Sequence, residues 1–202
     1  MKDLLAIYFF LLFFTCYSVS AQVGVGTTDP TAELEIETTD TGIPALELNP
    51  QSSPTGNTTG QIAVIGDKLF MYDATRSKWL SVEVTPLQLG RSGGADDTNL
   101  RTVGNQNNNR SGYLMPFDGT ITYVSVKSNS NNGAQSKEFS IQVRNGNTTN
   151  SATTVTTSAS EYTNSSLNID FSAGDFINGR IIDDGNGDVN NVSMIVWVKW
   201  RN

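Results

Sequence analysis

Apolar residues in this chain recur with a period of two, and residues 112–129 show the pattern most fully. Ile121, Tyr123 and Ser125 fall on one side of an extended backbone and Thr122, Val124 and Val126 on the other, as in a strand. Apolar side chains stand on both sides, which suits an inner strand. Pro116, Asp118 and Gly119 precede it, and a fixed φ followed by a free one predicts a tight turn out of the short segment 113–115.

From residue 87 onward the same reasoning gives eight strands: 99–103, 112–115, 120–128, 137–144, 153–157, 166–171, 175–182 and 192–200. Short strands separated by Gly, Asn and Asp turns predict an antiparallel sandwich or jelly roll. No helical period of useful length occurs beyond the N-terminal segment. Phe139, Ile141 and Val143 share a face, as do Leu167, Ile169 and Phe171. The last strand sets Val192, Met194, Val196, Val198 and Trp200 against Ser193, Ile195, Trp197 and Lys199. One of these faces fits the interior. The other, through Ile195 and Trp197, meets either a neighbouring subunit, which is the favoured reading, or a covering loop.

The chain before residue 86 is organised differently. Residues 51–60 form a polar connector with two glycines and a proline. Runs 61–65, 68–72 and 78–84 flank a Gly66-Asp67 turn and a second turn over 73–77, predicting a meander capped by Trp79. Residues 22–49 hold two short strands, with Leu34 and Ile36 opposed to Glu33, Glu35 and Glu37. Strands so short cannot form a core alone. Residues 86–98, rich in Gly, Ser and Asp, read as a joint, dividing a β-hairpin stalk (22–86) from a sandwich domain (87–202).

Residues 1–21 read as a secretory signal, with Lys2, an apolar run from Leu4 to Phe14, and Val19-Ser20-Ala21 as cleavage site. A retained anchor is disfavoured because a spanning helix needs about 20 apolar residues. Cys16 lies inside this segment behind Phe-Phe-Thr, a poor context for lipidation. After cleavage no cysteine remains, which excludes disulfides and thiolate chemistry. The chain has no histidine, the commonest general base and zinc ligand. With 13 basic and 20 acidic residues and a net charge of −7, it lacks the basic balance of a nucleic-acid binder.

Residues Val23-Gly24-Val25-Gly26-Thr27-Thr28-Asp29-Pro30 through Leu34 and Ile36 resemble the Val-Gly-Ile-Gly-Thr opening of phage tail-fibre-like and secreted surface proteins, many from Bacteroidetes. Gly60, Tyr72, Asp73, Lys78 and Trp79 resemble a hairpin module of the same stalks. Further on, Leu89-Gly90-Arg91, Gly112-Tyr113-Leu114-Met115-Pro116, Ser172-Ala173-Gly174-Asp175 and the closing Val-Trp-Val-Lys-Trp strand are similar to trimeric, tumour-necrosis-factor-like jelly-roll tips. The resemblance implies an all-β protein: a short β-hairpin stalk followed by an antiparallel jelly-roll-like β-sandwich, assembled as a homotrimer that exposes a binding tip and is not an enzyme.

Site signals are few. Asp184, Asn186 and Asp188 have the 1, 3, 5 spacing of a calcium loop, yet Val189 stands where that loop needs Gly and no Glu follows. The competing reading is a hairpin loop turning at Asn186-Gly187. Amide-rich stretches at 105–110, 129–132 and 145–150 suit sugar hydroxyls and equally suit plain turns. Glu138 with Glu161, or Asp170 with Asp175, would have to converge to act as a glycosidase pair. The expectation is therefore a secreted, non-enzymatic adhesive protein that contacts a glycan or a surface protein, with no nucleic acid, no membrane insertion after cleavage and no cofactor unless calcium. The alternatives are a carbohydrate-binding accessory module or glycan-active enzyme, and a structural subunit of an extracellular filament.

Overall fold

The structure, a computed structural model, describes residues 23–29, 31–102, 112–129, 137–157 and 161–201. Residues 1–21, read above as a secretory signal, the amide-rich stretch 105–110 and residues 130–132 lie outside them. Backbone contacts divide the chain into two compact units, residues 1–49 and 50–202.

In the first unit, β1 (Val23–Val25) and β2 (Leu34–Ile36) pair in parallel, with Val23 beside Leu34 and Val25 beside Ile36. The Val23 N–H donates to the Glu33 carbonyl and the Glu37 N–H to that of Val25. The two short strands read from the sequence thus lie side by side in parallel. No described residue of this unit is buried, as the shortness of its strands requires.

The second unit begins with an antiparallel meander of β3 (Ile62–Ile65), β4 (Lys68–Asp73) and β5 (Lys78–Ser81). Gly66 takes φ 62° between the first two strands, the left-handed geometry a two-residue hairpin turn demands. Ala63, Ile65 and Phe70 form a small buried cluster with Trp79 against it, so the tryptophan does cap the meander.

The rest of the unit is a sandwich built from β6 (Thr85–Ala95), β7 (Thr98–Asn99), β8 (Tyr113–Leu114), β9 (Gly119–Asn129), β10 (Lys137–Asn145), β11 (Thr148–Thr157), β12 (Glu161–Asn164), β13 (Ile169–Phe171), β14 (Phe176–Ile181) and β15 (Val189–Trp200). One sheet runs β12-β9-β15-β6 with β13 also on β9, and the other runs β11-β10-β14-β7 with β8 also on β14. Taking β7 with β8 and β12 with β13 as interrupted single strands, the sheets follow the orders first-last-third-sixth and second-seventh-fourth-fifth. That is jelly-roll order, and all pairings in it are antiparallel. The core draws on both sheets: Phe139, Ile141 and Val143 of β10, Ile177 and Ile181 of β14, Val124 and Val126 of β9, and Met194, Val196 and Val198 of β15 are all buried.

Three local readings need correction. The supposed joint at 86–98 contains β6, an eleven-residue strand pairing Thr85 to Ala95 along β15. Its glycines and serines lower strand propensity, but the paired edge of β15 overrides that. The meander also belongs to the same compact unit as the sandwich. Leu80 bridges Arg201, and the Trp200 N–H donates to the Ser81 hydroxyl at 3.0 Å.

The register of β9 differs too. Trp197 faces Tyr123 but Val198 faces Ile121, leaving Thr122 as an extra residue. This β-bulge turns Ile121 inward beside Val124, both fully buried, while Tyr123 stays on the outer face. One inserted residue reverses facing. Finally, Gly119 does not serve a left-handed turn. It opens β9, and a Cβ there would run into the Phe171 ring and lie 2.7 Å from the Lys199 carbonyl oxygen.

Candidate functional site

Three surfaces of the second unit carry the residues singled out in the sequence or found beside them. The first is the outer face of the β12-β9-β15-β6 sheet. Trp197 and Tyr123 are paired in register, their rings 5.5 Å apart and edge to face at 67°. Ile195 lies two residues along β15, between Gln88 and Ser125, and Pro86 flanks Trp197. These side chains are partly exposed, while Val192, Met194, Val196 and Val198 are buried on the opposite side of the strand. At one edge of the face Lys127 and Glu161 form an exposed pair at 3.6 Å. The meander adds a second apolar face: Ile62 and Met71 are register partners and, with Leu69, are well exposed, as are Val82 and Val84 further along the chain.

The second surface is the acidic loop after β14. It is not a hairpin, because β14 and β15 lie in different sheets. Among the described residues no group of three acidic, Cys or His side chains is placed to hold a metal. The positive charge at Asp184 is Lys137. Its buried ammonium lies 2.9 Å from Asp184 Oδ1, 2.6 Å from Asp96 Oδ1 and 3.0 Å from the Gly187 carbonyl. Asp184 also accepts the Glu138 N–H at 2.9 Å and the Asn186 N–H at 3.1 Å. Asp188 instead packs against Gly94. Burial works against both charges, but the Lys137 bond and the two backbone N–H groups hold the Asp184 carboxyl below the usual carboxylate range. Likewise desolvation opposes the Lys137 ammonium, and its two carboxylate partners raise its pKa nonetheless. Asp184, one of the three residues of the calcium-like spacing, thus serves an internal ion pair, which sequence could not reveal because its members lie on three separate segments.

The third surface is a groove between the meander and the end of the sandwich, a site not read from the sequence. A cleft of about 260 Å³ is lined by Ser52, Ser53, Ile65, Lys78, Trp79 and Arg201. A second, of about 240 Å³, shares Ile65 and Arg201 and reaches Lys68 and Phe117. The Trp79 indole is fixed by its N–H to the Pro54 carbonyl at 2.8 Å and by the Tyr72 ring at 5.4 Å. Arg201 spends Nε on the Gly119 carbonyl and Nη2 on that of Phe171, both at 3.0 Å, while Nη1 stays 3.7 Å from Asp170. Lys78 bridges Asp170 and Asn168. Lys68 sits 4.0 Å above the Phe117 ring. The one trace of this groove in the sequence is the Lys-Trp pair of the meander.

The remaining expectations resolve more simply. The loop at 145–150 is a tight hairpin with Gly146 at φ 56°. Arg144 stitches it to Asn147 and Thr149. Asp170 is bound by Lys78 and the Thr120 hydroxyl, and although burial opposes it, these bonds keep its carboxyl below the ordinary range. Asp175 accepts from the Ser172 N–H and from Asn150. A general acid needs a carboxyl raised above its ordinary pKa, and Asp73, Asp170 and Asp184 are all displaced downward. Among the described residues no helix is long and apolar enough to cross a membrane. The chain matches no protein-family model. No curated protein matches it either.

Proposed function

We propose that this is a secreted, non-enzymatic surface protein that assembles as a homotrimer through the outer face of the β12-β9-β15-β6 sheet and contacts its target at a surface. The observation that carries this reading is the Tyr123–Trp197 pair with Ile195, an apolar patch in the middle of a sheet face. Exposed contiguous apolar surface on a secreted protein marks an interface, and aromatic residues are the usual anchors at its centre. The open meander face with Ile62, Leu69 and Met71 supports the same conclusion. Trimeric display multiplies weak single contacts through effective concentration. The resemblance of the first residues to tail-fibre-like stalks agrees with it.

The test is the mass of the purified protein by light scattering, for the wild type and for Trp197→Asp. A trimer that the substitution converts to a folded monomer supports the reading. A wild-type monomer, or a variant that keeps the wild-type mass, overturns it.

A further inference from the structure

The groove between the meander and the sandwich collects features that the trimer reading does not use. Its two clefts share Ile65 and Arg201 in their walls, so they lie side by side along one trough. Three cations line it, Lys68, Lys78 and Arg201, with Asp67 as the acid in the wall and Asp170 behind. In a chain of net charge −7, such a local excess of cations runs against the background.

Two of these cations are held in place by their neighbours. Arg201 is anchored through Nε and Nη2 to backbone carbonyls, which leaves Nη1, 3.7 Å from Asp170 Oδ2, as its loosely engaged nitrogen. Lys68 rests on an aromatic face, and among the described residues no ion pair holds it. Beside them stand the Trp79 indole, clamped by Pro54 and Tyr72, and the side chains of Ser52 and Ser53.

We propose that these clefts bind an acidic oligosaccharide, with a uronate ring packed on the half-buried Trp79, its carboxylate at Arg201, and the carboxylate of the next sugar at Lys68. Rings of this kind pack on aromatic and aliphatic walls through their apolar faces. A carboxylate at Arg201 accepts a charge-assisted hydrogen bond from Nη1, the guanidinium nitrogen not bound to a backbone carbonyl. Hydroxyls of the serines and backbone of the 50–54 connector supply the remaining polar edge. A trough with cations spaced along it, rather than one enclosed pocket, suits a linear polymer approached from the side. The inference rests on the reading of the protein as a surface binder but not on its trimerisation.

The experiment titrates the full protein with oligogalacturonate, with a neutral glucose oligomer of equal length and with polyglutamate, following tryptophan fluorescence and heat. The oligogalacturonate binds and shifts the fluorescence; the neutral oligomer and polyglutamate do not. Lys68→Ala weakens that binding by about tenfold, the worth of one charge-assisted hydrogen bond. Lys127→Ala, the same charge change on the outer sheet face, leaves it unchanged. Trp79→Phe keeps the fold, as judged by its melting transition, and abolishes the fluorescence shift. Equal loss in Lys68→Ala and Lys127→Ala would reveal nonspecific charge attraction and sink the proposal. So would binding of the neutral oligomer with the same affinity, tighter binding of polyglutamate, or no response to oligogalacturonate. A trimer that ignores uronates refutes this site alone, whereas a monomer that binds them refutes only the assembly.

Discussion

Replacing Lys137 with methionine removes the ammonium while keeping most of the side-chain volume. It would leave the Asp184 carboxylate, 9 % exposed, facing Asp96, 22 % exposed, with the Gly187 carbonyl beside them. Breaking a buried pair by removing one partner costs about 3–5 kcal/mol. Asp96 retains some water, so the expected loss is about 3 kcal/mol, at the lower end of that range. For a domain of this size that corresponds to a fall in Tm of about 6–12 °C. Urea denaturation followed by tryptophan fluorescence measures it. The double variant Lys137→Met/Asp184→Asn, which removes the stranded charge as well, is expected to recover about half the loss.

The pH dependence gives an independent check. Asp184 is held below its ordinary value of 3.8, so its stabilisation is present above that pH and is lost as pH falls through the depressed folded value. Lys137 is raised above 10.5, so its share is complete below that pH and is lost as pH climbs through the raised folded value. In Lys137→Met both dependences shrink, and the difference from wild type narrows as the carboxylates protonate in acid. Millimolar calcium probes the position the ammonium leaves: if it restores the variant, Asp96, Asp184 and the Gly187 carbonyl can take a metal there. A loss under about 1 kcal/mol, or a double variant less stable than the single, would refute the reasoning.

Two further substitutions probe how the parts are joined. Arg76 donates to the carbonyls of Leu167, Ser165 and Thr122, the last being the bulged residue of β9, and pairs with Asp73; Arg76→Ala is expected to cost about 2–4 kcal/mol in chemical denaturation, since it strands several acceptors at once. Gly119→Ala pushes a methyl into Phe171 and the Lys199 carbonyl, and a loss of about 1–3 kcal/mol by thermal melting is expected from overpacking; a neutral result would mean that β9 shifts freely there.

How much of this was legible in the sequence depends on how locally each feature is specified. The two faces of β15 were legible because alternation from Val192 to Trp200 leaves no other way to bury Met194, Val196 and Val198. The strand β6 was not: its Gly90, Gly93 and Gly94 look like a joint until an existing edge recruits them. The facing of Ile121 was misjudged because a bulge leaves no mark in a hydrophobic pattern. Trp79 was recognised as the cap of its meander, but the trough beside it depends on Arg201, which lies far along the chain.

By itself, then, the sequence determined the class of the fold: a period of two, short strands and Gly/Asn/Asp turns admit a β-sandwich and little else. Periodicity is a property of neighbours along the chain, and it survives without knowing what lies opposite. Only the tertiary structure decided which charges meet. Lys137 with Asp96 and Asp184, Arg76 with the bulge carbonyl, and Arg201 beside Lys78 and Trp79 are contacts between distant segments. Charge carries no periodicity, so these pairings follow from the jelly-roll strand order that folds those segments together.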